Sequence, residues 1–307
     1  MSPGLRHAAR VYPSWQDASL TVSSDTPRTA RYRLAQSRWR ETVLGLPPGR
    51  HSNGRLVGSM LPADAPADAQ WMTAHVAAYV KARLPAARTA GEAIEEDRLR
   101  RNLLSSQPLC FNVFGQLAAY PAAAARILTS VLGVPVDTVD EVLVEHAPAA
   151  AKARLSDRSA FDAYLALHID GATAFLGVET KYTEPFSAKE YDSPAYRTTT
   201  EDAAGWFLPD AADAARAPTT NQLWRTTMLA QLTEQTSTTH ETGTGAVMVL
   251  CLEGDKHAES AVAGMNRLLK KSRNRLHHVT FEQLVAAAAD EPDLSLWAQL
   301  FTARYLP

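Results

Sequence analysis

Between residues 67 and 133 side chains such as Trp71, His75, Val76, Tyr79 and Val80 recur at three- and four-residue spacing, the period of one helical face. The same texture predicts further helices over 91–104 and 109–132, the latter interrupted at Pro121, and the run AAYPAAAARIL favours helix by intrinsic propensity. Upstream the chain is polar and broken by Pro47, Pro48, Gly49, Pro62 and Pro66. Within it, Thr26-Pro27 is a fitting start for a helix over about 27–45, because proline suits the first helical turn.

The period changes after Gly133. VDEVLVEH (139–146), FDAYLALHI (161–169) and TAFLGVETK (173–181) read as strands, and Asp170-Gly171 between the last two predicts a two-residue hairpin turn. A polar stretch over 182–219, with Pro185, Pro194 and Pro209, follows; structureless runs of that length are usually functional or disordered, so this one is a candidate lid or substrate-contacting loop. Helical spacing returns at 220–235, and GAVMVLCL (245–252) is apolar throughout, as expected of a strand buried on both faces. A helix over 256–271, a short strand at 276–281 and one or two closing helices complete the pattern. A hairpin feeding a parallel crossover gives an α/β fold, a mixed β-sheet flanked by helices. It occupies 66–307, behind a polar, helical N-terminal extension over 1–65.

Composition narrows the function classes. With 46% hydrophobic and 21% charged residues among 307, the chain is an ordinary globular one, and disorder is excluded as its dominant state. A net charge of -2 offers no overall attraction to polyanions or anionic lipid, so any such partner needs a local patch. Two cysteines, Cys110 and Cys251, both in apolar context, exclude a disulfide scaffold and suit a reducing cytoplasm. The beginning, MSPGLRHAAR, lacks the apolar segment of a signal peptide, and no stretch approaches the ~18 apolar residues of a membrane span. The expected setting is cytoplasmic, with no membrane partner.

Candidate chemistry lies at the open end of the predicted hairpin. Counting eight residues back from Asp170 reaches Asp162, and eight forward from Gly171 reaches Glu179, so the two carboxylates fall opposite each other. Glu179 and Lys181, two apart, share one face of the strand. Carboxylates that close repel, and a hard divalent ion such as Mg²⁺, completed by waters and phosphate oxygens, is their natural occupant. The acid-x-Lys tripeptide alone is no signal, because 33 acids and seven lysines produce one by chance in a chain of this length. The information is in the acid on the preceding strand and the hairpin register. A solvated ion cluster on a surface hairpin is the competing reading.

The segments RSAFD (158–162) and GVETKYTE (177–184) resemble the PD-(D/E)XK nuclease superfamily, and more narrowly a restriction-endonuclease-like group of it found in bacteria. SSQPLCFNVF (105–114) is similar to that group's SSQ…CFN.F signature, and NQLWR (221–225) to its helix after the lysine strand. These motifs lie within a core of about 92–285. The resemblance implies a restriction-endonuclease-like fold and metal-dependent hydrolysis of phosphodiester bonds in DNA, with Mg²⁺, or Mn²⁺ in its place. It implies that Asp162 and Glu179 hold the metal, that Lys181 orients the attacking water, and that Glu145 stands where this group often has another acid. Gln222 matches the helix glutamine that supports the site or touches the substrate backbone. The acid contributed by a first core helix is ambiguous among Glu92, Glu95 and Glu96. Such nucleases often form a homodimer to cut both strands. Two rival functions stay open: a module of the same fold that binds nucleic acid or protein without catalysis, and a nuclease acting on RNA.

Other residues have plainer readings. Ser105, Ser106 and Gln107 are either a polar cap or a loop lining the cleft, and Asn112 is a buried hydrogen-bonding residue. His277 and His278 are adjacent on a strand and face opposite ways, and His168, His240 and His257 show no zinc-ligand spacing. Basic residues concentrate in two segments. Arg28, Arg31, Arg33, Arg38 and Arg40 are either a solvated helix face or a nucleic-acid contact, whereas Arg267, Lys270, Lys271, Arg273 and Arg275, beside the predicted core, are candidates for nucleic-acid contact.

Overall fold

Thr26 and Pro27 open the first helix as their chemistry suggests: Pro27 takes the first helical position and the Thr26 side chain accepts from the Thr29 N–H. In the computed structural model, which describes residues 13–92, 94–187, 189–236, 243–270 and 275–307, this helix is α1 (Pro27–Thr42). A short ribbon, β1 (Gly49–Arg50) with β2 (Leu56–Val57), separates it from α2 (Ala74–Thr89), α3 (Glu96–Arg101), α4 (Ser106–Ala118) and α5 (Pro121–Leu132). Then come β3 (Thr138–His146), α6 (Ala149–Leu155), β4 (Phe161–Ile169), β5 (Ala172–Thr180), α7 (Pro194–Thr200), α8 (Ala211–Ala215) and α9 (Asn221–Thr236). The chain closes with β6 (Thr244–Cys251), α10 (Lys256–Asn266), β7 (Leu276–Thr280), α11 (Phe281–Ala289) and α12 (Ser295–Tyr305).

Strands β3 to β7 form one sheet in sequence order, β3, β4 and β5 antiparallel and β5, β6 and β7 parallel. Ile169 pairs with Ala172 across the hairpin, and Asp170 and Gly171 both take left-handed φ, 51° and 72°, the signature of a type I′ turn. The register that follows makes Ala163 face Val178, which sets Asp162 opposite Glu179 one step further on. Alternation along the strands divides the core. Ala163, Leu165, Leu176 and Val178 pack under α2, α4, α5, α11 and α12, whereas Tyr164, Phe175, Val247 and Val249 pack under α6, α9 and α10. Strand β6 is buried on both faces, as its apolar run demands.

Three expectations are corrected. The 182–219 stretch is neither structureless nor a free lid: α7 and α8 lie within it, and Phe186, Tyr196, Trp206 and Phe207 are buried in the second core. Helices of seven and five residues, anchored by isolated aromatics, are too short to print a period. The helix expected over 91–104 shrinks to the six residues of α3, because Gly91 turns left-handed (φ 65°) after α2 and Asn102 is extended to bridge Met60. The helix expected to reach 271 stops at Asn266, since the backbone beyond it pairs sideways: Leu208 N–H donates to Leu268 O and Lys270 N–H to Trp206 O, both at 2.8 Å.

Helix α1 packs on α12, and Gln36, fully buried, donates to Arg304 O (2.8 Å) and to the Tyr182 hydroxyl (3.2 Å). Of the first basic segment, Arg28, Arg33 and Arg40 are tied to neighbouring elements, whereas Arg31 and Arg38 stay exposed, as a solvated helix face requires. Arg28 donates to Glu253 O and Gly254 O, Arg33 pairs with Asp25, and the buried Arg40 donates to Gly58 O. Arg31 reaches Pro307 O and Arg38 lies over the Trp15 ring.

Candidate active site

Three acids line up across three neighbouring strands. Val144 pairs with Ala163 and His146 with Phe161, so Glu145 on β3 falls in the row that Asp162 and Glu179 continue on β4 and β5. Glu179 and Lys181 project from the face that packs under α9, because they share the parity of Phe175. Glu145 departs from regular strand geometry: its φ of 53° is left-handed, a conformation costly for a residue with a Cβ. That twist breaks the alternation, letting His146 meet the Tyr164 ring edge-on while Glu145 turns to α4.

Each charge is held by specific partners. Asp162 Oδ2 accepts from the Thr180 N–H at 2.6 Å, which locks the carboxylate against the neighbouring strand. Glu179 is only 3% exposed; its Oε1 accepts from Lys181 Nζ (2.9 Å) and Gln222 Nε2 (2.6 Å), and its Oε2 from Thr226 Oγ1 (3.0 Å). Gln222 and Thr226 are one turn apart on α9, so a single helix face grips both oxygens. The Gln222 side-chain Oε1 also accepts from the Ser187 N–H (2.8 Å), tying the segment after the lysine to the site. Glu145 Oε1 accepts from Gln107 Nε2 at 2.7 Å, and Lys181 Nζ sits 4.8 Å from the Phe186 ring centroid.

The electrostatics are those of crowded, buried acids. Burial pushes Glu145 up to about 7, with repulsion from Glu179 and Glu92 adding to it and the Gln107 hydrogen bond and Arg98 opposing it. Burial, then the charges of Glu179 and Glu145, raise Asp162 well above the usual carboxylate range. Burial alone would lower Lys181, but Glu179, Asp162 and Glu184 more than offset it and hold the ammonium above its ordinary value. Lys181 is therefore a cationic donor at neutral pH, not a base.

The remaining predicted residues separate into those near this row and those away from it. Ser105 caps α4 and accepts from Arg98 Nε at 2.7 Å, and Ser106 Oγ lies 3.5 Å from the same guanidinium, whose charge acts on Glu145. Of the first-helix acids, Glu96 is bound to Arg88 and Arg100, and Glu95 is the exposed residue before α3; neither is brought to the row. Glu92, from the loop before α3, is buried beside Arg83 and His146 and is the acid whose charge reaches Glu145. Lys270 Nζ is spent on Ala203 O and Gly205 O, and Arg275 on Glu234 and the Trp206 face. Arg275 precedes β7 near the level of Ala246 and Leu176, three residues short of Glu179 along the sheet, so neither residue reaches the carboxylates. Lys271 and Arg273 lie outside the described residues. Asn112 is a buried hydrogen-bonding residue, donating to Gln70 O, Pro108 O and the Tyr305 hydroxyl. The pattern of residues did not point to Thr226 or Arg98; the four-residue step from Gln222 would have found the first, whereas Arg98 carries no local signal.

A hard cation fits this donor set. Among the described residues no three His, Cys, Asp or Glu side chains converge closely enough to hold a metal unaided. Two carboxylates completed by waters and phosphate oxygens are nevertheless what Mg²⁺ uses, and the raised proton affinities of Asp162 and Glu145 mark a row short of positive charge. Among the described residues no helix is long and apolar enough to cross a membrane.

No curated protein matches the chain, and no solved structure does. Residues 23–307 match the profile of a family whose members are generally nucleases using divalent metal ions, and the match reaches beyond 92–285 at both ends. A mixed five-stranded sheet flanked by helices, an acid on one strand of its hairpin and Glu-x-Lys on the next agree with that match, and the chain belongs to the PD-(D/E)XK nuclease superfamily, with its restriction-endonuclease-like fold.

Proposed function

We propose that this protein is a divalent-metal-dependent deoxyribonuclease, with Mg²⁺ as its ion and Mn²⁺ able to replace it. The observation that carries the reading is the row of Glu145, Asp162 and Glu179 across three strands with Lys181 against Glu179. Asp162 and Glu179 would hold the ion, with Glu145 beside them. When bound, the ion supplies positive charge to the scissile phosphate and acidifies water.

The side chains do the rest. Gln222 and Thr226 fix the Glu179 carboxylate, and the Thr180 N–H fixes Asp162, so both acids are oriented before substrate arrives. Lys181, kept protonated by its acidic neighbours, donates to the attacking water or to a phosphate oxygen and offsets the charge that develops there. The test is cleavage of plasmid, linear duplex DNA, single-stranded DNA and RNA with Mg²⁺, Mn²⁺ or EDTA, comparing the parent with Glu179→Ala and Lys181→Ala. Metal-dependent cutting of DNA lost in both variants is the expected result. No cutting by the parent, with nucleic acid still bound equally by all three, refutes catalysis in favour of a binding module; cutting confined to RNA refutes the substrate.

A further inference from the structure

Beside the acidic row lies a cavity of about 560 Å³ that none of these roles uses. One wall belongs to the segment after the lysine and to the loop around α3: Arg98, Asn102, Ser105 and Glu184. The opposite wall comes from the N-terminal region, around α1 and the β1–β2 ribbon, and includes Thr26, Arg33, Asn53 and Arg55. The cavity adjoins the site through its wall: Thr183 and Glu184 follow Lys181 by two and three residues, and Ser105 caps α4, whose Gln107 donates to Glu145.

Its lining is divided. Val57, Met60, Leu104 and Pro185 supply apolar surface, and His51 adds a planar ring. The polar part is rich in donors. Arg33 is neutralised by both oxygens of Asp25 (2.5 and 2.9 Å), and Arg98 stands 3.8 Å from Glu184. Arg55 uses one nitrogen on Thr21 O (2.7 Å) and has no carboxylate partner among the described residues. Asn53 and Asn102 each spend only the carbonyl, accepting from the Arg55 and Leu104 N–H groups, so their amide NH₂ groups have no hydrogen-bond acceptor among the described residues. An apolar floor with a cationic, donor-rich rim is complementary to a base and sugar carrying phosphate. The volume lies in the ~300–1,000 Å³ range of small-molecule pockets. That is room for one nucleotide, not for a duplex whose major groove alone is about 12 Å wide.

We infer that this cavity is a nucleotide subsite, taking one unpaired deoxynucleotide next to the scissile phosphate, with Arg55 and Asn53 on its phosphate. The substrate class is thereby DNA with an unpaired end or an extruded nucleotide. The inference rests on the nuclease reading for its place in a reaction, but the pocket is testable alone. Thymidine 3′,5′-bisphosphate, titrated into the full chain by calorimetry, is expected to bind at least tenfold more tightly than inorganic phosphate, and Arg55→Ala or Asn53→Ala to weaken it fivefold or more. In parallel, the parent is expected to cut a duplex with an unpaired tail faster than a blunt one, and Arg55→Ala to shrink that preference. Nucleotide binding that depends on Arg55 without any cleavage sinks the nuclease reading and supports the pocket. Nucleotide affinity no better than that of phosphate, or indifferent to both variants, overturns the pocket even if DNA is cut.

Discussion

Replacing Glu145 by Gln should make the metal-free protein more stable and its catalysis worse. The residue is 7% exposed, and burial with the neighbouring charges raises its carboxyl from 4.5 to about 7. At ~1.4 kcal/mol per pH unit, that rise is worth on the order of 3 kcal/mol. The folded chain binds this proton more tightly than the unfolded chain, so the contribution of Glu145 to stability is full below pH 4.5 and is lost as pH climbs to 7. A glutamine keeps the oxygen that accepts from Gln107 but never ionises. The advantage of Glu145→Gln should therefore be near zero at pH 4, grow through the window, and level off at ~3 kcal/mol by pH 8. Urea unfolding in EDTA at pH 4, 6 and 8 reads it directly, and added Mg²⁺ should narrow the gap by stabilising the parent more than the variant. A variant no more stable than the parent at pH 8, or an advantage independent of pH, would refute the account of the site as a row of acids short of positive charge.

Two further outcomes are expected. Thr226→Val removes the hydroxyl from Glu179 Oε2, a charged hydrogen bond worth about 1.5–3 kcal/mol. It should cut the cleavage rate roughly 10- to 100-fold; Thr226→Ser should restore it, and a Val variant cutting at the parental rate would deny Thr226 its positioning role. Gly177→Ala places a Cβ 2.4 Å from the buried Phe161 ring, which costs about 1–3 kcal/mol in urea unfolding. Phe161→Leu in the same chain should recover part of that loss, and an unperturbed Gly177→Ala protein would show the packing there to be looser than described.

What could be read along the chain, and what could not, follows the range of the interactions. The hairpin was legible because Asp170-Gly171 admits a type I′ turn and strand side chains alternate, so local chemistry dictated the register that sets Asp162 against Glu179. Strand β6 was legible because burial on both faces leaves an unbroken apolar run, and α1 because Thr26-Pro27 is a self-contained start signal. Short helices inside 182–219 were not, since a few aromatics docking on a distant core print no period.

At the site the same division holds. The residue types of Asp162, Glu179, Lys181 and Gln222 were carried by motifs, but their partners were not. Thr226, Arg98 and Glu92 act through contacts between elements far apart in the chain, and only packing brings them together. Lys270 and Arg275 looked like free cations because sequence shows charge without showing its partner; the fold gives one to main-chain carbonyls and the other to Glu234 and Trp206. The left-handed turn at Glu145 is likewise invisible beforehand, since nothing local favours it, and tertiary contacts from Gln107 and Arg83 hold it in place. Short-range covalent and turn preferences thus determined that Asp162 and Glu179 share a row, whereas strand pairing, burial and long-range packing brought Glu145 into it and decided the acids' charge state, their orientation and which basic residues remained available to a ligand.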